Sequence, residues 1–245
     1  MSIFANIGKR IIELTSCHST NDYALDLIAN AEAQSGDVVY AKKQTAGRGQ
    51  KGNVWLAPEG QNLTFSLILK PLFLRPAYQF ELTVFISVAL IRYLKSKGVE
   101  AKIKWPNDIY VYNKKLGGIL IENKIKGSKL GYSIIGVGLN INQTDFGLLN
   151  ATSLSNEKNI KYAVYEELFN SFEFMNQVYD SLKRGEDLRG EYMQHLIGTK
   201  HEILFDDGEQ FLSKVVNVDD YGALELNKKG ELKKYGVQDV KFVKL

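Results

Sequence analysis

Gln44-Thr45-Ala46-Gly47-Arg48-Gly49-Gln50-Lys51-Gly52-Asn53-Val54-Trp55 is the stretch on which the fold assignment turns. It sets Gly47, Gly49 and Gly52 beside two cations, Arg48 and Lys51. Spelled out, it is G-x-G-x-x-G, and that fingerprint would make the chain a doubly wound dinucleotide-binding protein. The fingerprint works only between a strand and a helix, because the helix N-terminus holds the pyrophosphate. A strand does precede it, in the β-prone run Val38-Val39-Tyr40-Ala41. No helix follows: Pro58 and Gly60 fall where one would run, and Leu63-Thr64-Phe65-Ser66-Leu67 begins another strand. A P-loop is excluded too, since the run does not end in G-K-[S/T]. What remains is a cationic glycine loop between two strands, able to wrap an anion in main-chain N–H groups. A plain surface turn is the alternative reading of the same residues.

Working outward, Ile11 to Leu14 reads as a short strand ending at Ser16. Ser19-Thr20-Asn21-Asp22 then leads into Tyr23–Ala31, where Leu25, Ile28 and Ala29 or Ala31 recur at helical spacing and Ser19 or Thr20 supplies the N-cap. Asn62 to Lys70 alternates Leu63, Phe65, Leu67 and Leu69 against Thr64, Ser66, Ile68 and Lys70, predicting a half-buried strand. Phe80 to Lys97 reads as a long apolar helix stopped by Gly98. Lys104-Trp105-Pro106-Asn107-Asp108 joins two short β-prone runs through a corner. A strand is predicted over Lys114–Glu122, entered through Gly117 and Gly118, and another over Leu130–Asn142. On the latter, Gly136 and Gly138 share a face by the period of two, leaving a bare floor for a planar ligand or a neighbouring aromatic. Helices are predicted over Tyr162–Leu182 and Leu188–Ile197. From Gly198 the texture changes to short strands, His201–Phe205, Phe211–Val218, Ala223–Leu226 and Val240–Val243, separated by Asp/Gly and Lys/Gly turns. The expected organisation is a main domain over 1–197 and a small β-barrel over 198–245.

Composition narrows the classes. The chain has 245 residues, 31 basic and 28 acidic, for a net charge of +3, too mild and too dispersed for a nucleic-acid-binding face. A single cysteine, Cys17, rules out a disulfide framework, and with three histidines no Cys/His metal cluster can be assembled. The N-terminus lacks a signal-peptide core and no run reaches 18 apolar residues, so a cytoplasmic protein with no membrane partner is expected.

Taken in order, Ser19-Thr20-Asn21, Gln44, Gly47-Arg48-Gly49-x-x-Gly52, Trp55, Lys104-Trp105-Pro106-Asn107-Asp108, Lys115-x-x-Gly118-Ile119-Leu120 and Gly136-x-Gly138-x-Asn140 resemble the biotin–protein ligases. The chain is similar to the short form of that family, without a DNA-binding domain ahead of the catalytic one. The resemblance implies an α+β catalytic domain, a mixed β-sheet with packed helices, plus a small C-terminal SH3-like β-barrel. It implies ATP and biotin as substrates, Mg²⁺ as the accompanying ion, and the biotin carboxyl carrier domain of a carboxylase as partner to a monomer or homodimer. Biotin's carboxylate would attack the α-phosphate of ATP to give biotinyl-5′-AMP, and a carrier lysine would then take the biotinyl group.

The same resemblance distributes the residues. Ser19, Thr20, Asn21 and Gln44 would grip the ureido ring, with Gly136 and Gly138 as its floor. Gly47, Arg48, Gly49, Gln50, Trp55, Lys115 and Gly118 would complete the biotin site. Arg48, Gln50, Lys51, Asn53, Trp55, Lys104, Asn107, Lys115 and Asn140 would face the nucleotide, and Asp108 the metal. Lys115 and Arg48 would be the catalytic cations, since two anions must be brought together and fixed positive charge offsets their repulsion. The chain departs from many relatives in carrying neutral Gln50 and Asn53 where they carry arginines, which implies weaker retention of the adenylate. A lipoate ligase or octanoyl transferase of the same fold, and a biotin-binding regulator without ligase activity, are the alternatives.

Overall fold

A computed structural model describes residues 7–244. Its centre is a seven-stranded mixed sheet in the order β1-β2-β3-β7-β6-β5-β4, formed by β1 Ile11–Cys17, β2 Val38–Gln44, β3 Leu63–Leu69, β4 Lys102–Lys104, β5 Asp108–Val111, β6 Lys114–Lys126 and β7 Lys129–Leu139. Only β1 and β2 run parallel; every other neighbouring pair is antiparallel. This is the α+β mixed sheet expected, and no doubly wound crossover follows the glycine loop.

Two layers of helix cover the sheet. On one face lie α2 Phe80–Ser96 and α4 Val164–Lys183, packed with Phe65, Leu67, Ile103, Ile109, Ile119 and Val137 into the main apolar core. Leu82, Phe85 and Leu90 of α2 are essentially inaccessible, and burial of each such side chain is worth roughly 1.5–3 kcal/mol. The stretch Pro76–Ser96 has the length and composition of a membrane span, but 67% of its most apolar window is buried as a core helix. Lys97 and then Gly98, at φ +71°, end it where the sequence predicts.

On the opposite face α1 Thr20–Ala29 packs Ala24 and Leu27 against Val39, Ile68 and Ile134. The helix starts at Thr20 because the Ser19 side chain accepts the Asn21 N–H, and it stops short of Ala31, which sits at φ +59°. That second layer corrects the reading of β3. All seven of its residues are buried, not alternate ones, because both faces of the strand are covered. Of the two hydroxyls on the face predicted to meet water, Ser66 is buried against Thr20 and Asn21 of α1, and Thr64 donates to Ala41 O.

Three further departures are local. The predicted strand Phe211–Val218 is two, β9 Gln210–Ser213 and β10 Val215–Val218, because the chain changes sheets at Lys214. β12 Glu231–Tyr235 escaped notice because its only apolar or aromatic residues are Leu232 and Tyr235, a charged edge of the kind that discourages further pairing. The short α3 Leu154–Lys158 is capped by Ser153, whose side chain accepts the Asn156 N–H.

After α5 Arg189–His195, the C-terminal sheets β13-β8-β9 and β10-β11-β12 enclose Phe205, Leu224 and Leu226, with β8 spanning Ile203–Asp206, β11 Leu224–Lys228 and β13 Lys241–Lys244. Their core is continuous with that of the main sheet. The Ile197 N–H donates to Ile103 O at 2.8 Å and the Trp105 indole N–H to Gly222 O at 3.0 Å. Arg189 reaches from α5 to Glu81 at 2.7 Å and to Val218 O and Asp219 O at 3.2 and 3.0 Å. The small unit is therefore docked on the sheet end that carries β4 and β5.

Candidate active site

Strand register lays a bare strip across the sheet. Thr64 pairs with Gly138, Gly138 with Gly118, Gly118 with Asp108, and Asp108 with Lys104. One row along, Ser66 pairs with Gly136 and Gly136 with Leu120. Cross-strand partners share a face, so these glycines open a trough between α1, the glycine loop and the C-terminal unit. The trough is a cavity of about 230 Å³.

The end beneath α1 is polar and fully organised. Ser19, Thr20 and Asn21 are buried in the first turn, at 4%, 4% and 3% exposure. Gln44 Oε1 accepts the Thr20 N–H at 2.7 Å and lies 3.1 Å from the Thr20 hydroxyl, which leaves its NH₂ group on the side of Gly47. The Ser66 hydroxyl lies 2.7 Å from Thr20 Oγ1 and 2.6 Å from Asn21 Oδ1. Asn21 Nδ2 donates to Glu122 Oε2 at 2.7 Å. The Asn21 amide rests on Gly136: a Cβ there would sit 2.4 Å from Asn21 Oδ1. Neither Ser66 nor Glu122 was singled out in the sequence, where one reads as an ordinary strand residue and the other as a solvated charge.

The glycine loop forms the roof as a small hairpin. Arg48 pairs with Val54, the Gly49 N–H donates to Asn53 O at 2.7 Å, and the Trp55 N–H donates to Gly47 O at 2.9 Å. Gly47 lies behind the roof and does not line the cavity; a Cβ there would come 2.4 Å from Trp55 O, so the close approach of the two backbones requires glycine. Arg48 Nη2 donates to Asp22 Oδ1 at 2.6 Å and to Glu122 Oε2 at 3.0 Å, which straps the loop to α1 and β6. Gly49, Gln50 and Asn53 line the cavity, while the side chain of Lys51 lies outside the described residues. The two floor glycines meet different side chains, Gly136 the Asn21 amide and Gly138 an aromatic ring. The Trp55 indole covers Gly138, where a Cβ would meet its ring at 2.3 Å, and its buried Nε1 has no hydrogen-bond partner among the described residues.

At the other end Lys115 Nζ pairs with Asp108 Oδ1 at 2.7 Å and stands 5.9 Å from the Trp55 ring centre. Both pack on Gly118, whose missing Cβ would lie 3.2 Å from Asp108 Oδ1 and 3.4 Å from Lys115 Nζ. Asn107 lines the cavity and is tied down by its Nδ2, which donates to Ile119 O at 2.6 Å. Lys104 does not line the wall. Its ammonium lies over the Tyr110 and Phe242 rings, at 5.2 and 5.4 Å, and burial lowers its proton affinity from the usual lysine value. Burial, with the Asp108 charge behind it, pushes the Tyr110 hydroxyl up to about 12.

Asn140 is not among the residues that line the cavity. It is 4% exposed, and its Nδ2 donates to Thr152 O at 3.0 Å, stitching the end of β7 to the segment before α3. Trp105 and Pro106 of the corner motif line the cavity, as do Val237, Val240 and Phe242 of the C-terminal unit, which carry no recognisable chemical signal in sequence. Asp108 is the one acidic residue lining the cavity, and no group of three or more His, Cys, Asp or Glu able to hold a metal occurs among the described residues. Such a donor set suits an ion shared with a phosphate ligand, not an all-protein cage.

A trough with a neutral hydrogen-bonding end, a cationic roof and a lysine–aspartate end is suited to orienting a polar ring while two anions meet. Residues 13–140 match the model of the biotin/lipoate A/B protein ligase family. The bifunctional ligase/repressor BirA of Bacillus subtilis (strain 168) is 33% identical over 251 residues, covering 96% of this chain and 75% of that protein. Biotin–protein ligase 1, chloroplastic, of Arabidopsis thaliana is 29% identical over 240 residues, covering 89% and 63%. Among solved structures, the biotin protein ligase from Aquifex aeolicus in complex with biotin and ATP superposes with a TM-score of 0.78 at 22% identity, over 97% of this chain and 100% of that one, a likeness of fold. By the family model and the extent of the Bacillus match, the chain belongs to the biotin/lipoate A/B protein ligase family.

Proposed function

We infer that the chain is a biotin–protein ligase: it activates biotin with ATP and transfers the biotinyl group to a lysine of a biotin carboxyl carrier domain. The observation that carries the reading is the polarity of the trough, with a matched donor–acceptor network under α1, Arg48 in the loop that roofs it and Lys115 at the far end.

Ser19, Thr20, Asn21 and Gln44 hold the ureido ring, whose buried donors and acceptors cost about 1–3 kcal/mol each if left unmatched. The carboxylate end of biotin lies toward Arg48 and Lys115. A carboxylate oxygen attacks the α-phosphorus, the bond from that phosphorus to the bridging oxygen breaks, and pyrophosphate leaves with the electron pair. Arg48, Lys115 and the main-chain N–H groups of the loop offset the charge of the two anions as they close. In the second step the neutral carrier ε-amine attacks the acyl carbon; the acyl–oxygen bond breaks, AMP departs and the amine loses a proton. Asp108 and the nucleotide phosphates would share a magnesium ion, which supplies further charge neutralisation when bound. Gln50, Asn53, Asn107 and Trp55 contact the nucleotide side. Neither nucleic acid nor membrane is needed, a monomer or homodimer serves equally, and the reaction belongs in the cytoplasm.

The test is pyrophosphate release with ATP, magnesium and, separately, biotin, lipoate or octanoate, followed by mass analysis of an added carrier domain. Release with biotin alone and a biotinyl adduct on one carrier lysine are expected. Turnover with lipoate in preference to biotin, or no adduct on the carrier, overturns the reading.

A further inference from the structure

Glu122 lies on β6 one row beyond the glycine floor, paired in register with Ile134. Its Oε2 accepts from two groups on different elements of the site, Asn21 Nδ2 of α1 at 2.7 Å and Arg48 Nη2 of the glycine loop at 3.0 Å. An ionised carboxylate only accepts hydrogen bonds, so it dictates which way the Asn21 amide faces: NH₂ toward Glu122, carbonyl toward Ser66 and Gly136. The same oxygen holds the tip of the loop's arginine, whose remaining donors stay available for a ligand. Asp22 takes the same Arg48 nitrogen at 2.6 Å, and no bond from Asp22 to Asn21 accompanies it. Glu122 thus touches both the residue that reads a ring and the residue that covers an anion; Asp22 touches only the second.

We propose that Glu122 is a positioning residue that couples recognition of the biotin ring to closure of the Arg48 loop. The inference rests on the biotin-ligase reading, in which Asn21 meets the ring and Arg48 the carboxylate. With Glu122 in place, an Asn21 amide locked by a bound ring holds the carboxylate still, and the still carboxylate holds Arg48 over the acyl-phosphate. Without it, ring binding and loop retention become independent events.

Two measurements on the intact protein separate these functions: direct titration with biotin in the absence of nucleotide, and the release rate of preformed biotinyl-AMP. Adenylate formation by the unaltered protein tests the ligase reading itself, so its failure is distinct from failure of the coupling. Glu122→Gln is expected to weaken biotin about tenfold and to speed adenylate release about tenfold, the size of one lost charge-assisted hydrogen bond. Asp22→Asn is expected to speed release while leaving biotin affinity unchanged, and Glu122→Asp to recover part of both losses. A double-mutant cycle with Asn21→Ala and Arg48→Lys needs no change at Glu122 and is expected to be non-additive in adenylate retention by more than about threefold. Additive effects in that cycle, or wild-type values of both constants in Glu122→Gln, overturn the proposal.

Discussion

Gly138→Ala tests whether the sheet floor sets the position of the roof. A Cβ at Gly138 would stand 2.3 Å from Trp55 Cε2, 2.5 Å from Cζ2 and 2.8 Å from Nε1. Carbon atoms rest at about 3.5–4.0 Å, so one side must retreat by roughly 1 Å or more. The strand cannot, because Gly138 is paired with Thr64 on one side and Gly118 on the other. The displacement falls on Trp55, and through its N–H bond to Gly47 O and the Arg48–Val54 pairing it moves the loop that carries Arg48. Overpacking of this kind costs about 1–3 kcal/mol of stability, which a domain of this size survives. A misplacement of about 1 Å at a reacting centre costs about a hundredfold in rate. The expected result is a folded protein whose biotin-dependent pyrophosphate release falls about a hundredfold in kcat/KM. Gly136→Ala, whose Cβ would instead strike Asn21 Oδ1 at 2.4 Å, is expected to act chiefly on biotin affinity. A Gly138→Ala protein with wild-type kcat/KM would refute the argument, since the indole could not then be resting where the geometry puts it.

Lys115→Ala removes the cation beside Asp108 and is expected to lower adenylate formation by at least about a hundredfold, with little change in melting temperature because the lysine is partly exposed; near-normal pyrophosphate release would show that Arg48 suffices. Gln50→Arg restores a cation to the cavity lining and is expected to slow escape of biotinyl-AMP, measured by trapping the free adenylate; unchanged escape would place the barrier elsewhere. In the C-terminal unit, hydrogen bonds from the Lys228 ammonium at 2.7 and 3.0 Å hold the Asp207 carboxyl at about 2, below its ordinary 3.8. A depressed folded value means that this stabilisation is complete above about 3.8 and is lost as pH falls through about 2. Unfolding experiments should therefore show the stability gap between wild type and Asp207→Asn closing across that window, and a gap constant with pH would contradict it.

The boundaries of elements were legible because their causes are local. Pro58 and Gly60 forbid the helix that a dinucleotide site requires, the Ser19 side chain caps α1 and Gly98 ends α2, each through φ/ψ preferences acting within a few residues. The order of the glycine, Trp-Pro-Asn-Asp and Lys-x-x-Gly segments was likewise open to reading, and most of the residues in them do line one cavity. Register and layering were not. Ser66 and Thr64 looked solvent-facing because their strand alternates, and only the packing of other elements over that face buries them. The bond from Asn140 Nδ2 to Thr152 O depends on the turn of the chain after β7, which no neighbouring residue announces. Glu122, Phe242 and the occupation of Gly138 by Trp55 depend on which strands and loops meet, often a hundred residues apart. Periodicity and capping are written in neighbouring residues; partnership across a sheet is fixed by the packing of whole layers, and that is settled only when the chain folds.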